Sequence, residues 1–300
     1  MSVLPRLTHM GEGVYLLDPA LKEVGPKHLQ LRARPYERIM DYVYTPMPLE
    51  RLSRAQIHIV NMLREHLIEG KHIGGTDNQI KDKFAEVIRS VGAERVLEWG
   101  CGFDSLQTRL AGISYEAADI DLAVINFQRK RGAICRLTEN VEKNIEGKVD
   151  VIPSIFVFQF GISNDHIAAM SNVLAPRGFV LANVYRRSPE SRNRLRKKLA
   201  GHGLSVYRRR DLEYLCKGNE YWIASRDLDE TESVRLLDRL NGSRTGDDGG
   251  PEVPAPGYAT ASHASAPLLS VAGAGSRGWP GQHRSPAQLG WAGLPPLFTD

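Results

Sequence analysis

Gly100-Cys101-Gly102 follows the run Val96-Leu97-Glu98-Trp99, and an acid, Asp119, stands 17 residues beyond Gly102. A strand that ends in Gly-x-Gly lets the backbone approach a ligand closely at the carboxyl edge of a parallel sheet. An acid at the end of the next strand accepts both hydrogen bonds from a ribose diol, and one helix plus one strand fill the distance between them. Together these residues specify a nucleoside pocket. The segment from Gly100 to Ser105 begins like a dinucleotide fingerprint, but Ser105 stands where the third glycine belongs. Asp104 would place negative charge where a helix N-terminus should receive a pyrophosphate, which makes an anionic phosphate a poor guest. Taken singly, a Gly-x-Gly is a turn, Asp119 a surface acid and Asp121 a helix cap. Their order along the chain is what carries the information.

The elements that must position these residues alternate strand and helix, the pattern of a parallel sheet covered by helices. A helix capped by Thr76 or Asp77 is expected to reach Val91, with Ile80, Phe84, Val87, Ile88 and Val91 on its inner face. Strands are expected at 95–98, 115–119, 133–137, 149–152 and 179–184, the last entered through the turn Pro176-Arg177-Gly178. Residues 106–110 read as part of a helix, Asp121 caps a helix through Gln128, and further helices fall at 166–174 and 190–200. No long crossover separates 204–207 from 220–225, so these two strands are expected to form an antiparallel pair.

On these residues the chain resembles the class I S-adenosylmethionine-dependent methyltransferases. The segment from Val96 to Gly102 resembles their motif I, and Ala118-Asp119-Ile120-Asp121 resembles the segment holding their ribose acid. The resemblance covers residues 77–226 and includes Val149-Asp150-Val151-Ile152-Pro153-Ser154 and the turn at 174–179. It implies an α/β, Rossmann-like fold: a seven-stranded, mostly parallel sheet with a final antiparallel strand pair, helices on both faces and an N-terminal helical extension. It also implies S-adenosylmethionine as cofactor. By that resemblance Gly100, Cys101 and Gly102 pack against its methionine part, Glu98 orients its amino group, Asp119 holds the ribose and Ile120 borders the adenine. S-adenosylmethionine has no phosphate and carries a sulfonium and an ammonium, which suits Glu98 and Asp104. The chain departs from the pattern at Asp104 and Arg177, where glycine is common. Only Glu139, beside Asn140, is available as the third-strand acid, and Ile152-Pro153-Ser154-Ile155 stands where amino-directed enzymes carry Asn-Pro-Pro-Tyr.

With 42% hydrophobic and 25% charged residues over 300, the chain has ordinary globular composition. It lacks a run long enough for a membrane span and a basic-then-apolar N-terminus, so a cytoplasmic protein is expected. Three scattered cysteines, Cys101, Cys135 and Cys216, and nine unpaired histidines suggest neither a disulfide framework nor a metal site. Residues 1–72 read as a partly helical extension and possible substrate lid, with an amphipathic helix at 51–70 and an aromatic stretch at 35–48 holding Tyr36, Tyr42 and Tyr44. Residues 73–227 form the methyltransferase domain and 228–240 a short helix or linker. Residues 241–300, rich in Gly, Pro, Ala and Ser, read as a disordered tail in which Trp279 and Trp291 stand isolated.

A methyl carried on sulfonium is already activated, so the protein chiefly aligns the acceptor and excludes water. The expected reaction is in-line methyl transfer to a small-molecule acceptor near Phe156, Gln159 and Tyr42. Gln159, Asp165, His166, Tyr185 and Glu220 were the polar candidates for proton transfer; spacing singles out none, and the catalytic base stays unassigned. The arginines at 186–187, 192–196 and 208–210 admit a second reading, an RNA methyltransferase, although charge runs on helices are usually solvated faces. A third is a catalytically silent module of the same fold that binds a partner. The oligomeric state is not legible in the sequence.

Overall fold

The computed structural model describes residues 7–20, 25–31, 33–73, 76–213, 215 and 218–242, all inside one compact unit, Met1–Gly249. The expected disordered tail beyond Gly242, with Trp279 and Trp291, and also Cys216, lie outside these residues.

The chain opens with an antiparallel sheet. Strands β1 (Leu7–Gly11), β2 (Val14–Leu17), β3 (His28–Leu31), β4 (Arg34–Ile39) and β5 (Val43–Pro46) lie in the order β1-β2-β5-β4-β3. This corrects the expectation of a helical extension and of a helical lid around Tyr36 to Tyr44. Aromatic and β-branched side chains suit a pleated surface, and Tyr36, Ile39, Val43 and Tyr44 are buried in it. Met40 and Asp41 both take left-handed backbone, φ 49 and 59, and turn β4 into β5. The one long helix of this region, α1 (Arg54–Glu69), starts in a capping box between Ser53 and Gln56 and buries Ile57, Ile59, Val60, Leu63 and Leu67.

The second sheet holds β6 (Arg95–Trp99), β7 (Ser114–Asp119), β8 (Ile134–Leu137), β9 (Val149–Ser154), β10 (Leu174–Val184), β11 (Ser205–Arg210) and β12 (Glu220–Ser225). Their order is β11-β12-β10-β9-β6-β7-β8. Five strands run parallel, and β12 inserts antiparallel to both β10 and β11, pairing Phe179 with Ser225 and Ser205 with Ser225. This is the arrangement that the methyltransferase resemblance implies, a parallel sheet closed by an antiparallel pair.

Alternation along these strands feeds two cores. Leu97, Trp99, Trp222 and Ala224 point to one face, where α5 (Asn164–Val173) and α6 (Pro189–Gly201) contribute Met170, Leu195 and Leu199. Val96, Val151, Leu181, Tyr221 and Ile223 point to the other, under Ile80, Phe84 and Ile88 of α2 (Thr76–Ser90) and Leu236, Leu237 and Leu240 of α7 (Glu230–Leu240). Each such fully buried side chain contributes about 1.5–3 kcal/mol of burial free energy. Helices α3 (Leu122–Lys130) and α4 (Val141–Asn144) flank β8. Two local expectations differ. Val91, assigned to the inner face of α2, is 38% exposed because the helix ends at Ser90. Residues 106–110, read as helix, form only a 3-10 turn, Gln107–Leu110, which stops before Gly112 at φ 88.

Candidate functional site

The carboxyl ends of β6, β7, β9 and β10 open into a cavity of about 480 Å³, within the range of small-molecule sites. Glu98, Gly100, Cys101, Gly102, Asp119 and Ile120 all line it, as do Phe156 and Gln159. Tyr42 does not; its ring packs edge-on against His72, which does, with centroids 5.9 Å apart.

The glycine turn is fixed from below. Gly100 N–H donates to Ala118 O at 2.7 Å, crossing from β6 to β7. Gly100 has φ 75, and a Cβ there would lie 2.3 Å from Val157 Cγ2, whereas Gly102 has φ 59 and open space around it. Only glycine takes such backbone without strain. Glu98, 1% exposed, accepts from Leu106 N–H at 2.8 Å and from the Tyr115 hydroxyl. Burial raises its carboxyl to about 7, against the pull of those two hydrogen bonds and of Lys81.

Asp119 accepts from Gly102 N–H at 3.0 Å through Oδ2 and from Asp121 N–H at 2.9 Å through Oδ1. A carboxylate has about four acceptor sites, so capacity for a diol remains. Burial raises its carboxyl to about 6, opposed by the backbone donors. Cys101, also in the turn, has its Sγ 3.8 Å from that of Cys135; this contact and burial push its thiol well up.

Several groups at the site were not foreseen. Lys81 on α2 is 3% exposed and donates to Asp77 at 2.7 Å and Asp104 at 2.9 Å; Arg64 of α1 also pairs with Asp77. Burial pushes the Asp104 carboxyl up, but Lys81, Arg109 and Arg64 together hold it below its ordinary value. Asp104 therefore stays ionised with its charge offset by neighbouring cations, which weakens the expectation that it repels phosphate. The missing third glycine and the antiparallel β12 are what remain against a dinucleotide. Asp121 is more than a cap. While its Oδ1 accepts from Ala123 N–H at 2.9 Å, its Oδ2 meets His58 Nδ1 at 2.9 Å and Asn61 Nδ2 at 3.4 Å. That ties α1 to the end of β7. Glu139 is paired with Arg54 of α1, and Thr138 beside it lines the cavity.

At the far side Phe156 takes left-handed backbone, φ 55. Its N–H donates to the fully buried Asn183 Oδ1 at 2.6 Å, and its ring meets Tyr185 edge-on at 5.9 Å. Asn183 was legible as the one amide inside the apolar run of β10. His166 lines the cavity against Trp99, 5.7 Å between centroids. Burial and then Arg54 hold its imidazolium below the ordinary range, so it is neutral near pH 7. Tyr185 lines the cavity; Asp165 and Glu220 do not. Glu220 instead receives Arg192 at 2.6 Å, Arg208 at 3.3 Å and Trp222 Nε1 at 2.9 Å.

Much of the arginine cluster is committed in the same way. Arg187 pairs with Glu50 at 3.5 Å and donates to the Phe158 and Phe160 carbonyls, and Arg209 pairs with Asp238 at 3.4 Å. Among the described residues no group of three or more His, Cys, Asp or Glu is placed to hold a metal, and no helix is long and apolar enough to cross a membrane.

No protein-family model and no curated protein matches the chain. Solved structures resemble it at low identity. The SAM-bound amino pentose methyltransferase CalS10 of Micromonospora echinaspora is 15% identical, with TM-score 0.45, over 54% of this chain and 96% of that one. DesVI of Streptomyces venezuelae is 11% identical, with TM-score 0.43, over 54% and 97%. The magnesium protoporphyrin IX methyltransferase of Synechocystis, with bound SAM, is 14% identical, with TM-score 0.36, over 58% and 85%. At such values the likenesses carry no argument about chemistry, which rests on the site itself.

Proposed function

We propose that this protein, on its class I methyltransferase fold, transfers the methyl group of S-adenosylmethionine to a small-molecule acceptor. One observation carries the reading: the glycine turn of β6, the acid ending β7 and the aromatic end of β9 meet in a single cavity. Asp119 would hold the ribose diol, Ile120 would lie along the adenine, and Gly100 to Gly102 would flank the methionine part. Arg64 and Lys81, which line the same cavity within a network with Asp77 and Asp104, would meet its carboxylate, and its ammonium would favour the ionised form of Glu98.

When bound, the cofactor supplies a methyl already activated on sulfonium. The chain's own work is alignment and exclusion of water. Phe156, held by Asn183, and Tyr185 form an aromatic wall at the acceptor side, while α1 and the β4–β5 turn cover the cavity from the N-terminal side. Holding the acceptor in line is the larger contribution, because a well-oriented pair reacts as though at very high effective concentration. His166, neutral and beside Trp99, stands among the groups lining the cavity, and no base is assigned from it.

Calorimetric titration of the full chain with S-adenosylmethionine and S-adenosylhomocysteine tests the proposal. Saturable one-site binding is expected for both. Asp119→Ala removes two charge-assisted bonds worth about 1.5–3 kcal/mol each, so a loss of at least roughly 100-fold in affinity is expected. Absence of binding by the wild-type chain, or equal binding by the variant, would refute it.

A further inference from the structure

Arg186 follows β10 at the acceptor side of the cavity and lines it. Its backbone is left-handed, φ 54, an unfavourable conformation for a long side chain that persists only where surroundings enforce it. Three contacts enforce it. Nη1 donates to Glu37 Oε1 and to the Arg38 carbonyl of β4, each at 2.7 Å, and the guanidinium carbon lies 5.0 Å from the centre of the Tyr185 ring. The side chain is 17% exposed. On the other edge, Nε is shielded from solvent and has no hydrogen-bond partner, so a ligand in the cavity reaches it by a small shift of the side chain. A guanidinium presents five donors in a rigid fork, and the edge carrying Nε is suited to two parallel bonds with a carboxylate.

Charge points the same way. Glu37 lies between Arg186 at 2.7 Å and Lys27 at 3.8 Å, so the trio carries one net positive charge. The cavity is also lined by Asp41, which is exposed to solvent, and by Asp77, Glu98 and Asp119 of the glycine-turn region; Glu37 is the acid paired with Arg186 among the described residues. Apolar and aromatic side chains line the same cavity, Tyr185 in contact with the guanidinium, Phe156 against Tyr185, and Ile39, Met40 and Ile57. A buried donor edge left open costs free energy unless a ligand or water fills it.

We infer that the methyl acceptor is a small apolar or aromatic molecule bearing a carboxylate, and that the Nε edge of Arg186 receives that carboxylate. The inference rests on the methyltransferase reading and names the acceptor's class within it. Arg186 is thus a specificity residue, positioned by Glu37 and Tyr185. Which atom is methylated follows from the acceptor, not from this contact.

The test uses the full chain in two steps. S-adenosylhomocysteine is titrated first, which judges the cofactor reading without involving Arg186. Benzoate, phenylacetate and 1-naphthoate, each beside its primary amide, are then titrated by tryptophan fluorescence into the saturated protein; if the cofactor product does not bind, the same pairs are titrated into the free protein. At least one carboxylate is expected to bind tenfold or more tightly than its amide. Arg186→Gln is expected to abolish that preference while leaving S-adenosylhomocysteine affinity within twofold. Glu37→Gln keeps an oxygen acceptor for Arg186 Nη1, and so its placement, while removing the competing negative charge, and is expected to strengthen carboxylate binding severalfold with the amides unchanged. This second variant decides the matter should Arg186→Gln fail to fold. Carboxylates binding no better than amides, a preference retained in Arg186→Gln, or weaker carboxylate binding in Glu37→Gln overturns the inference.

Discussion

Replacing Gly100 with alanine separates two costs that the glycine turn combines. The first is backbone strain, because alanine at φ 75 loses about 1–2 kcal/mol relative to right-handed backbone. The second is steric. The new Cβ meets Val157 not only at Cγ2, 2.3 Å away, but also at Cγ1, 3.2 Å, and at Cβ, 3.3 Å. Rotating χ1 of Val157 relieves the Cγ2 contact only by moving a methyl group elsewhere, and the overpacking adds about 1–3 kcal/mol. The expected loss for Gly100→Ala is about 2–5 kcal/mol. Gly102→Ala has the strain, φ 59, with nothing within 4 Å, and should lose only the first part. Val157→Ala alone, at a half-buried position, should cost about 1 kcal/mol. In the double variant Gly100→Ala/Val157→Ala the steric part returns, giving a favourable coupling of about 1–3 kcal/mol. Urea unfolding at fixed protein concentration reads all four proteins, with the slope m checked for constancy. Additivity within about 0.5 kcal/mol, or a loss in Gly102→Ala equal to that in Gly100→Ala, would refute this account of the turn.

Cofactor affinity should depend on pH through Asp119. Its carboxyl, raised to about 6, accepts a diol best when ionised, so calorimetry should show affinity about tenfold lower at pH 5 than at pH 8, and Asp119→Asn should flatten that dependence. The linked stability effect has the opposite sense. The folded form of Asp119 binds its proton more tightly than the unfolded chain, so its contribution to stability is largest below the unfolded value, 3.8, and is lost as pH rises through about 6. Asn183→Ala leaves the Phe156 N–H without its acceptor and should cost about 1–3 kcal/mol in unfolding experiments, with a drop in kcat if turnover is followed; an unchanged Cm would argue against a positioning role. His58→Leu breaks the contact to Asp121 and should weaken S-adenosylhomocysteine binding severalfold with little loss of stability. A variant binding as wild type would show that α1 does not shape the cofactor side.

The turn and the acid were legible because both are local. Gly100, Gly102 and Asp119 sit on neighbouring strands in sequence order, and their spacing alone requires the strand–helix–strand path that β6, the 3-10 turn and β7 supply. The N-terminal sheet was not legible, because its β4–β5 turn uses Met40 and Asp41 in left-handed backbone where a hairpin ordinarily announces itself with glycine or asparagine. Tyrosines in that segment fit a helix face and a strand face equally well. Nor did the sequence reveal what offsets the charge of Asp104, since Lys81 reaches it from 23 positions away. The arginine run read as one charge feature, yet side chains from it go to Glu37, Glu50, Glu220 and Asp238, acids scattered over the whole domain.

Those partners also explain how the N-terminal sheet and α1 belong to the site. Their own apolar side chains turn mostly inward, with Leu17, Tyr36 and Tyr44 forming a small core of the sheet. Contact with the larger domain includes five polar pairs: Arg64 with Asp77, His58 with Asp121, Arg54 with Glu139, Arg186 with Glu37 and Arg187 with Glu50. Arg54 with Glu139 is exposed and worth about 0–1 kcal/mol; in the other four, largely buried, desolvation offsets much of the attraction, so the set specifies placement more than it adds stability. Two of the five, Arg64 with Asp77 and Arg186 with Glu37, draw on residues that line the cavity at opposite ends of its polar inventory, one beside the glycine turn and one at the acceptor side. The same charges that seat the N-terminal region therefore set the polarity a ligand meets in the cavity.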